Sequence, residues 1–414
     1  MHRSNRLLSY QSSKCVLQYL PAALRFEFSN RCPAIRSTDN STPLRIRNFR
    51  ISFLSLSVDN VRYKVGVIRQ YHNGNTKQCD KENSGGGAKH DIDEYGLLAN
   101  TEPFEQCPDE IIFSNCEVVT NLQEMHEFNE RTGRNTLAEL ANETNPDFEK
   151  IQEMEEVLTL HQLKRERSVP PFSRFIQLQI SVRHTVKHVE RVEYKQSVYN
   201  AMKYLVWKFL ARRQTILTQH FGFNCQDIVR LPRELRVITK NLHFKTWNTN
   251  VLHQLQPFLV ADSFPLDSFK TNGWGINFND SIIQNSKLLL LRNTLALDLR
   301  SVKHSNVRDL DNARSENGVL ALLRHWLENV PSVGTSFSLN TVSDILAEDL
   351  FRGIESIPGA TIREIASRRR LHFPLQALIR LNDYSEVKVY CKSRKDNRMI
   401  QTINMKVQEI RRPV

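Results

Sequence analysis

Residues that could carry out chemistry are sparse along this chain of 414 residues. Asp91, Asp93 and Glu94 follow the run Gly85-Gly86-Gly87, and closely spaced carboxylates are ligands that hard cations prefer. The segment lacks the ligand spacing and the closing Glu of a calcium loop, and no Lys-Ser or Lys-Thr pair follows the glycines as in a phosphate-binding loop. The sequence therefore predicts a solvated loop here.

A metal centre can be imagined only at Cys107, Cys116 and His126. Their spacing matches no zinc pattern, and a closed tetrahedral site needs a fourth ligand that the neighbourhood does not supply. We therefore predict neither a metal nor a cofactor.

Catalytic motifs are equally scarce. His325 and His372 each stand beside an aromatic residue, without a nucleophile and a carboxylate nearby in the sequence. The segment 334–338 (GTSFS) ends in Ser where a nucleophile elbow needs Gly. The sequence predicts a protein that is not an enzyme, although a triad assembled from distant residues stays open.

Charge is unevenly distributed around a formal net charge of +12. Residues 80–160 hold 5 Lys/Arg against 20 Asp/Glu, whereas residues 161–240 hold 16 Lys/Arg against 5 Asp/Glu. One interpretation is that the two blocks balance each other within the fold and leave solvated charged faces. The other is that the basic 161–240 region binds nucleic acid.

The basic block contains the most regular helical pattern of the chain, over residues 198–217. Lys203, Lys208, Arg212 and Arg213 lie off its apolar stripe. They are phosphate contacts if the region binds nucleic acid, and a solvated face of a core helix if it does not.

The seven cysteines are odd in number and form no Cys-x-x-Cys motif, which indicates reduced thiols rather than a disulfide framework. We find no signal peptide and no apolar stretch of membrane-spanning length, roughly 20 residues. The sequence therefore predicts a protein of the cytoplasm or nucleus, with no membrane partner.

Alternation of apolar and polar residues predicts three early strands, at residues 43–51, 54–58 and 61–67. The first alternation breaks near Asn48, and Asp59-Asn60 is a two-residue turn that joins the other two strands into a hairpin. Residues 71–89 are polar and predict a mobile loop.

The middle of the chain changes character at a proline pair. Residues 120–168 are acidic and carry apolar residues at helical spacing, whereas Pro170-Pro171 cannot continue a helix. Residues 176–182 alternate without a miss and predict a strand. We therefore place the main domain boundary near residue 170.

The C-terminal half contains a loose repeat. Short apolar runs end in Asn or Thr at residues 246, 272, 293, 312 and 340, and residues 318–327 between two of them have a helical pattern. Such strand–helix alternation is typical of stacked parallel strands, as in leucine-rich repeats with periods of about 20–29 residues. Ordinary α/β connectivity is the alternative. Residues 386–390 and 402–407 predict an antiparallel pair that closes the chain.

Together these patterns predict a mixed α/β fold. N-terminal helices and a β-hairpin domain come first, followed by an α/β domain with irregular repeat-like strand–helix units. The predicted segments are a helical start (1–40), a β-rich domain (41–119), an acidic helical insertion (120–170) and the α/β domain (171–414).

Several strings carry a family resemblance. They are SKCVLQYL (13–20), SNRCP (29–33), PLRI (43–46), YKVGV (63–67), DIDEYG (91–96), SFPL (263–266), GTSFS (334–338) and YSEVKVY (384–390). In these the chain resembles a large, nematode-expanded family of uncharacterised domains, and the later strings are similar to the C-terminal regions of nematode F-box proteins. The start, with two short helices around Pro21, is similar to an F-box.

The resemblance implies a protein–protein interaction module, and specifically a substrate-recognition adaptor of a cullin-type ubiquitin ligase. It implies that Val16, Leu17, Leu20 and Leu24 dock the cullin-linked adaptor, and that the repeat-like half recognises an unknown substrate protein. The alternative is that the same leucines close the domain's own core. A nucleic-acid-binding protein that uses the 161–240 region is the second functional hypothesis.

Overall fold

The computed structural model describes residues 10–99, 107–114, 122–143, 147–213, 215–225, 228–245, 249–272, 277–292, 297–311, 316–341, 344–364, 375–393 and 401–410. Of these residues, 38% are helical and 36% lie in strands, which confirms the predicted mixed α/β class. The chain divides into two compact units. Unit 1 is Met1–Thr218 with Asn224–Arg236, and unit 2 is Gln219–Phe223 with Val237–Val414. The four-segment division stays a prediction.

The helices of unit 1 are α1 (Tyr10–Tyr19), α2 (Ala22–Arg31), α3 (Arg36–Asn40), α4 (Lys77–Ser84), α5 (Leu122–Ala141), α6 (Phe148–Glu166) and α7 (Val198–Leu210), with a 3-10 turn at Pro33–Ile35. Its strands are β1 (Leu44–Ser52), β2 (Ser55–Val58), β3 (Val61–Tyr71), β4 (Glu110–Ser114), β5 (Phe172–Val182), β6 (Thr185–Glu193) and β8 (Ile228–Pro232). Strand β7 (Ile216–Asn224) contributes its residues 219–223 to unit 2.

The main sheet of unit 1 runs β1-β2-β3-β5-β6, with each of these pairs antiparallel. The predicted hairpin is confirmed, since Val58 pairs with Val61 across a turn in which Asp59 takes a positive φ of 54°. The carboxylate of Asp59 accepts the backbone N–H groups of Arg47 and Asn48. This contact lies at the predicted break in the alternation of β1.

The expected mobile loop at residues 71–89 is wrong, because the segment folds into α4. Thr76 caps this helix by accepting from the Cys79 N–H, and the side chains of Cys79 and Asn83 are buried. The glycine run packs closely against β3. A Cβ on Gly66 would lie 2.1 Å from the Gly86 carbonyl oxygen. The sequence did not predict this packing, because it depends on the single residues Thr76 and Cys79 within a segment that is otherwise polar.

The acidic segment is helical as predicted. Helices α5 and α6 pack together, with Gly133 close to Met154 and Leu158. Strand β5 is also confirmed, and it pairs with β3 from Val182 to Phe172.

The helix expected over residues 198–217 ends at Leu210. Ala211 is extended and Arg212 has a φ of 64°, which stops the helix, and Ile216 begins strand β7. The apolar spacing of Ile216 and Leu217 fitted a helix by coincidence, because short apolar runs suit either period.

The strands of unit 2 are the middle of β7, β9 (Val237–Lys245), β10 (Ser268–Asn272), β11 (Leu289–Arg292), β12 (Asn306–Asp309), β13 (Ser336–Thr341), β14 (Ala360–Glu364), β15 (Leu375–Arg380), β16 (Ser385–Ser393) and β17 (Gln401–Glu409). Its helices are α8 (Thr249–Leu255), α9 (Ser281–Gln284), α10 (Glu316–Glu328) and α11 (Asp344–Glu355), with 3-10 turns at Gln256–Phe258, Ala261–Ser263 and Leu299–Ser301.

The sheet of unit 2 runs β7-β9-β10-β11-β12-β13-β17-β16-β15-β14. Neighbouring strands from β9 to β13 pair in parallel. The pairs β13–β17, β17–β16, β16–β15 and β15–β14 are antiparallel. The predicted stack of parallel strands and the closing antiparallel pair are therefore confirmed. One face is apolar: Phe244 stacks on Phe223 at 6.2 Å and contacts Phe269 at 6.3 Å between ring centroids.

Across the described residues, none of the helices has the length and apolar character needed to cross a membrane.

Candidate functional site

Helices α1 and α2 are held in unit 1 by apolar and aromatic packing. Leu17, Ala22 and Phe26 are buried, and the Phe26 ring stacks on Phe209 of α7 at 4.5 Å between centroids. One side of the α1–α2 pair therefore belongs to the core.

A buried ion cluster connects α2, α3 and the segment after α7. The Asp39 carboxylate accepts from the Arg25 Nε and from an Arg213 terminal nitrogen, each at 2.6 Å, and from the Ser29 hydroxyl at 2.7 Å. Burial alone would raise the pKa of Asp39, but the hydrogen bond and charge of Arg213, aided by Ser29 and Arg25, lower it. The cluster holds two cations around one carboxylate.

The structure separates the four predicted partner-binding residues. Leu17 is 1% exposed, whereas Val16 is 49% and Leu24 is 50% exposed; Leu20 is partly buried. Leu17 thus has the core role that the sequence left open, and Val16 and Leu24 point to solvent.

Two exposed aromatic residues on the same helices were not predicted. Tyr19 is 88% exposed, three residues after Val16 on α1, and Phe28 is 47% exposed, four residues after Leu24 on α2. These spacings place each pair on one helix face. We call Val16, Tyr19, Leu24 and Phe28 the N-terminal apolar surface. Helical spacing from Val16 and Leu24 was the signal that would have found the two aromatics.

The predicted phosphate contacts do not share one surface. Arg213 is 5% exposed and bound to Asp39, and the Arg212 backbone N–H donates to Glu234. Lys203 pairs with the buried Glu110 at 3.0 Å. Lys208 is exposed and its ammonium lies 5.6 Å from the Tyr204 ring centroid.

Glu110 forms a second buried ion cluster, with Arg230 and Lys203. Burial alone would raise its pKa, but the hydrogen bond of Arg230, followed by those of the Cys107 N–H and Lys203, lowers the pKa of Glu110 to about 2. Lys203 therefore serves to pair a buried carboxylate of unit 1.

The carboxylates that follow the glycine run are also used structurally. Asp91 accepts from the Tyr194 hydroxyl and the Val198 N–H, and Asp93 pairs with Lys164 at 2.8 Å. No cluster of three metal-ligating side chains occurs among the described residues, and Cys116 lies outside them.

Of the two candidate catalytic histidines, His325 lies on α10, where its Nδ1 contacts the Asn329 amide nitrogen at 3.2 Å. His372 lies outside the described residues.

Residues 197–342, about a third of the chain, are similar to a family described as "Domain of unknown function (DUF3557)". No curated protein and no solved structure matches the chain.

Proposed function

We propose that this chain is a non-catalytic protein-interaction module that docks a partner through the N-terminal apolar surface. In its specific form, the proposal is a substrate-recognition adaptor whose partner is the cullin-linked adaptor of a ubiquitin ligase. The observation that carries it is the exposure of four large apolar side chains on two short helices whose other side is locked in a core. Exposed apolar groups that are held rigidly lose little conformational entropy when a partner covers them.

Residues that belong to the core of unit 1 cannot dock a partner, so the docking residues are those in contact with solvent. Leu17 is part of the core, so a charge at that position would unfold the segment rather than report on docking. Tyr19 and Leu24 are the informative positions, because a carboxylate there stays hydrated and still blocks an apolar contact.

The test is co-purification of the full chain with the cullin-linked adaptor protein. We expect wild type to retain the adaptor and Tyr19→Asp/Leu24→Asp to lose it, with the thermal unfolding midpoint of the variant unchanged. The matched control is Tyr384→Asp/Val333→Asp, which changes two side chains that are 73% and 52% exposed elsewhere. Failure of the wild type to bind, or equal loss in the control, rules out the adaptor proposal.

We place this activity in the cytoplasm or nucleus. The described cysteines Cys15, Cys32, Cys79 and Cys107 support this, because they are free thiols.

A further inference from the structure

The solvent-facing side of the unit 2 sheet is strongly cationic. Nine of the outward positions along β9 to β17 carry basic side chains, and neutral polar residues occupy most of the others. The basic residues are Lys245, Lys270, Arg292, Arg308, Arg363, Arg380, Lys388, Lys392 and Lys406. Among the described outward positions of these strands, Glu386 is the one carboxylate, and it lies at the start of β16. We call this set the basic sheet face.

Strand register aligns these cations across the sheet. Lys270 is in register with Leu290, Leu290 with Arg308, and Arg308 with Ser338, so this row crosses successive strands. The next row passes from Ser336 to Lys406 and then to Lys388. Neighbouring strands are about 4.8 Å apart, so Lys270 and Arg308 lie two strand spacings apart in the first row, and Lys406 and Lys388 lie one spacing apart in the second.

One contact on this face is unfavourable without an anion. Lys388 and Lys406 are directly opposite each other in the antiparallel pair β16–β17. Like charges at such positions destabilise a sheet. Lys406 is exposed and forms no ion pair with any described residue, so its charge is available to a ligand.

The face also offers a stacking group and neutral hydrogen-bonding groups. Tyr390 is half-buried beside Lys388, whose ammonium lies 5.5 Å from the Tyr390 ring centroid. Asn404 is directly opposite Tyr390, and Ser338 is opposite Asn404. Aromatic stacking combined with cations is the usual means of holding single-stranded nucleic acid without reading a fixed sequence.

We propose that the basic sheet face binds single-stranded nucleic acid, with the cations on its phosphates and a base stacked on Tyr390. An acidic protein segment fits less well. The centres of protein interfaces are depleted in Lys and rely on apolar and aromatic anchors, whereas this face is rich in Lys and its aliphatic side chains, Leu290 and Leu378, are half-buried. The proposal is independent of docking through the N-terminal apolar surface.

The test measures fluorescence anisotropy of a labelled oligouridine of about 20 nucleotides with the full chain, at roughly 50 to 200 mM salt. Arg308→Glu/Lys406→Glu is expected to weaken binding at least about tenfold and to reduce the salt slope by about 1.4, since about 0.7 is lost per phosphate contact. The matched control, Arg324→Glu/Lys303→Glu, makes the same charge change at exposed positions off the face and is expected to bind like wild type.

Tyr390→Ala separates stacking from charge. It is expected to weaken binding about fivefold or more without changing the salt slope, and Tyr390→Phe is expected to restore binding. Tighter binding of oligouridine than of oligodeoxythymidine assigns RNA as the ligand, and the reverse assigns DNA.

Three outcomes overturn the proposal. They are equal weakening by the face and control variants, tighter binding of polyglutamate than of oligouridine, and equal binding of a duplex of the same length. The first means that only net charge matters, the second assigns an acidic protein, and the third removes the role of an unstacked base.

Discussion

Individual buried ion pairs attach α2 and α3 to the rest of unit 1. Arg25 and Asp39 are 1% and 0% exposed, and Arg213 completes their pairing from the segment after α7. Removal of one member of such a cluster leaves the others buried without compensation, which costs more than the pairing itself contributes. These residues stabilise the fold, whereas the nucleic-acid hypothesis assigned Arg213 to phosphate contact.

Asp39→Asn is expected to destabilise the protein by about 3–5 kcal/mol, because two guanidinium groups lose their counter-charge in the interior. Chemical denaturation measures the change. The control Asp298→Asn breaks the exposed pair with Arg300 and is expected to cost no more than about 1 kcal/mol. Since folding lowers the pKa of Asp39, its contribution is present at neutral pH and is lost as the pH falls through the folded-state pKa. Equal effects of the two variants would contradict this role.

A buried histidine pair provides a second residue-scale prediction. His126 of α5 and His161 of α6 have ring centroids 5.9 Å apart, and the His126 Nε2 is buried without a partner among the described residues. Burial lowers both pKa values, with Lys164 reinforcing the shift and Asp93 opposing it in each case; Glu130 also opposes it at His161.

Because the neutral form is favoured in the fold, stability is expected to decrease as the pH falls below the unfolded-state pKa of about 6.5. The thermal unfolding midpoint, measured from roughly pH 7.5 to 5.5, is expected to fall less in His126→Leu/His161→Leu than in wild type. The exposed His72→Gln is the control and should leave the wild-type pH dependence unchanged. An unchanged acid response in the double variant would show that other groups cause it.

At the scale of elements, strand alternation separates core from surface in unit 2. Val389 and Met405 are buried in register, whereas the flanking Lys388 and Lys406 face solvent. The same period therefore produces an apolar core and the basic sheet face. The opposed lysines lower the stability of the sheet when no anion is bound.

Lys388→Glu is expected to stabilise the protein by roughly 0.2–1 kcal/mol, because an opposite-charge pair replaces a like-charge pair. The same variant is expected to weaken oligouridine binding. Chemical denaturation and anisotropy measure the two effects. Lys388→Gln should lie between wild type and Lys388→Glu in both. A variant that loses stability and binding together would mean that Lys388 has a packing role.

At the scale of the whole molecule, the two proposed surfaces use different residues in different compact units. One is apolar and rigid, the other cationic and polar. Their binding energies should therefore respond to different conditions, since phosphate contacts weaken steeply with salt and apolar contacts do not.

Tyr19→Asp/Leu24→Asp is expected to leave oligouridine binding within about twofold of wild type, because the two surfaces share no residue and mutations at independent sites are additive. Arg308→Glu/Lys406→Glu is expected to leave partner capture intact. Anisotropy and co-purification, each carried out on wild type, the two double variants and the two control variants, check this. Loss of both activities in either variant would indicate coupled surfaces or misfolding.

The local pattern of apolar and polar residues was sufficient to predict much of the secondary structure of this protein. The mixed α/β class, the hairpin at Asp59-Asn60, the strand at 176–182 and the parallel strands of the C-terminal half all followed from apolar periodicity, which is a property of neighbouring residues. The docking role of Val16 and Leu24 came from the family resemblance and stays a prediction.

Tertiary structure decided what each polar residue does. Whether Leu17 or Val16 faced the core depended on what α1 packs against, and no local pattern specified that Arg213 would reach Asp39, 174 residues earlier in the chain. The basic sheet face arises because strands far apart in sequence align in register, so its cations are scattered in the sequence. Sequence periodicity fixes which side of an element is apolar, whereas long-range packing fixes which charges meet.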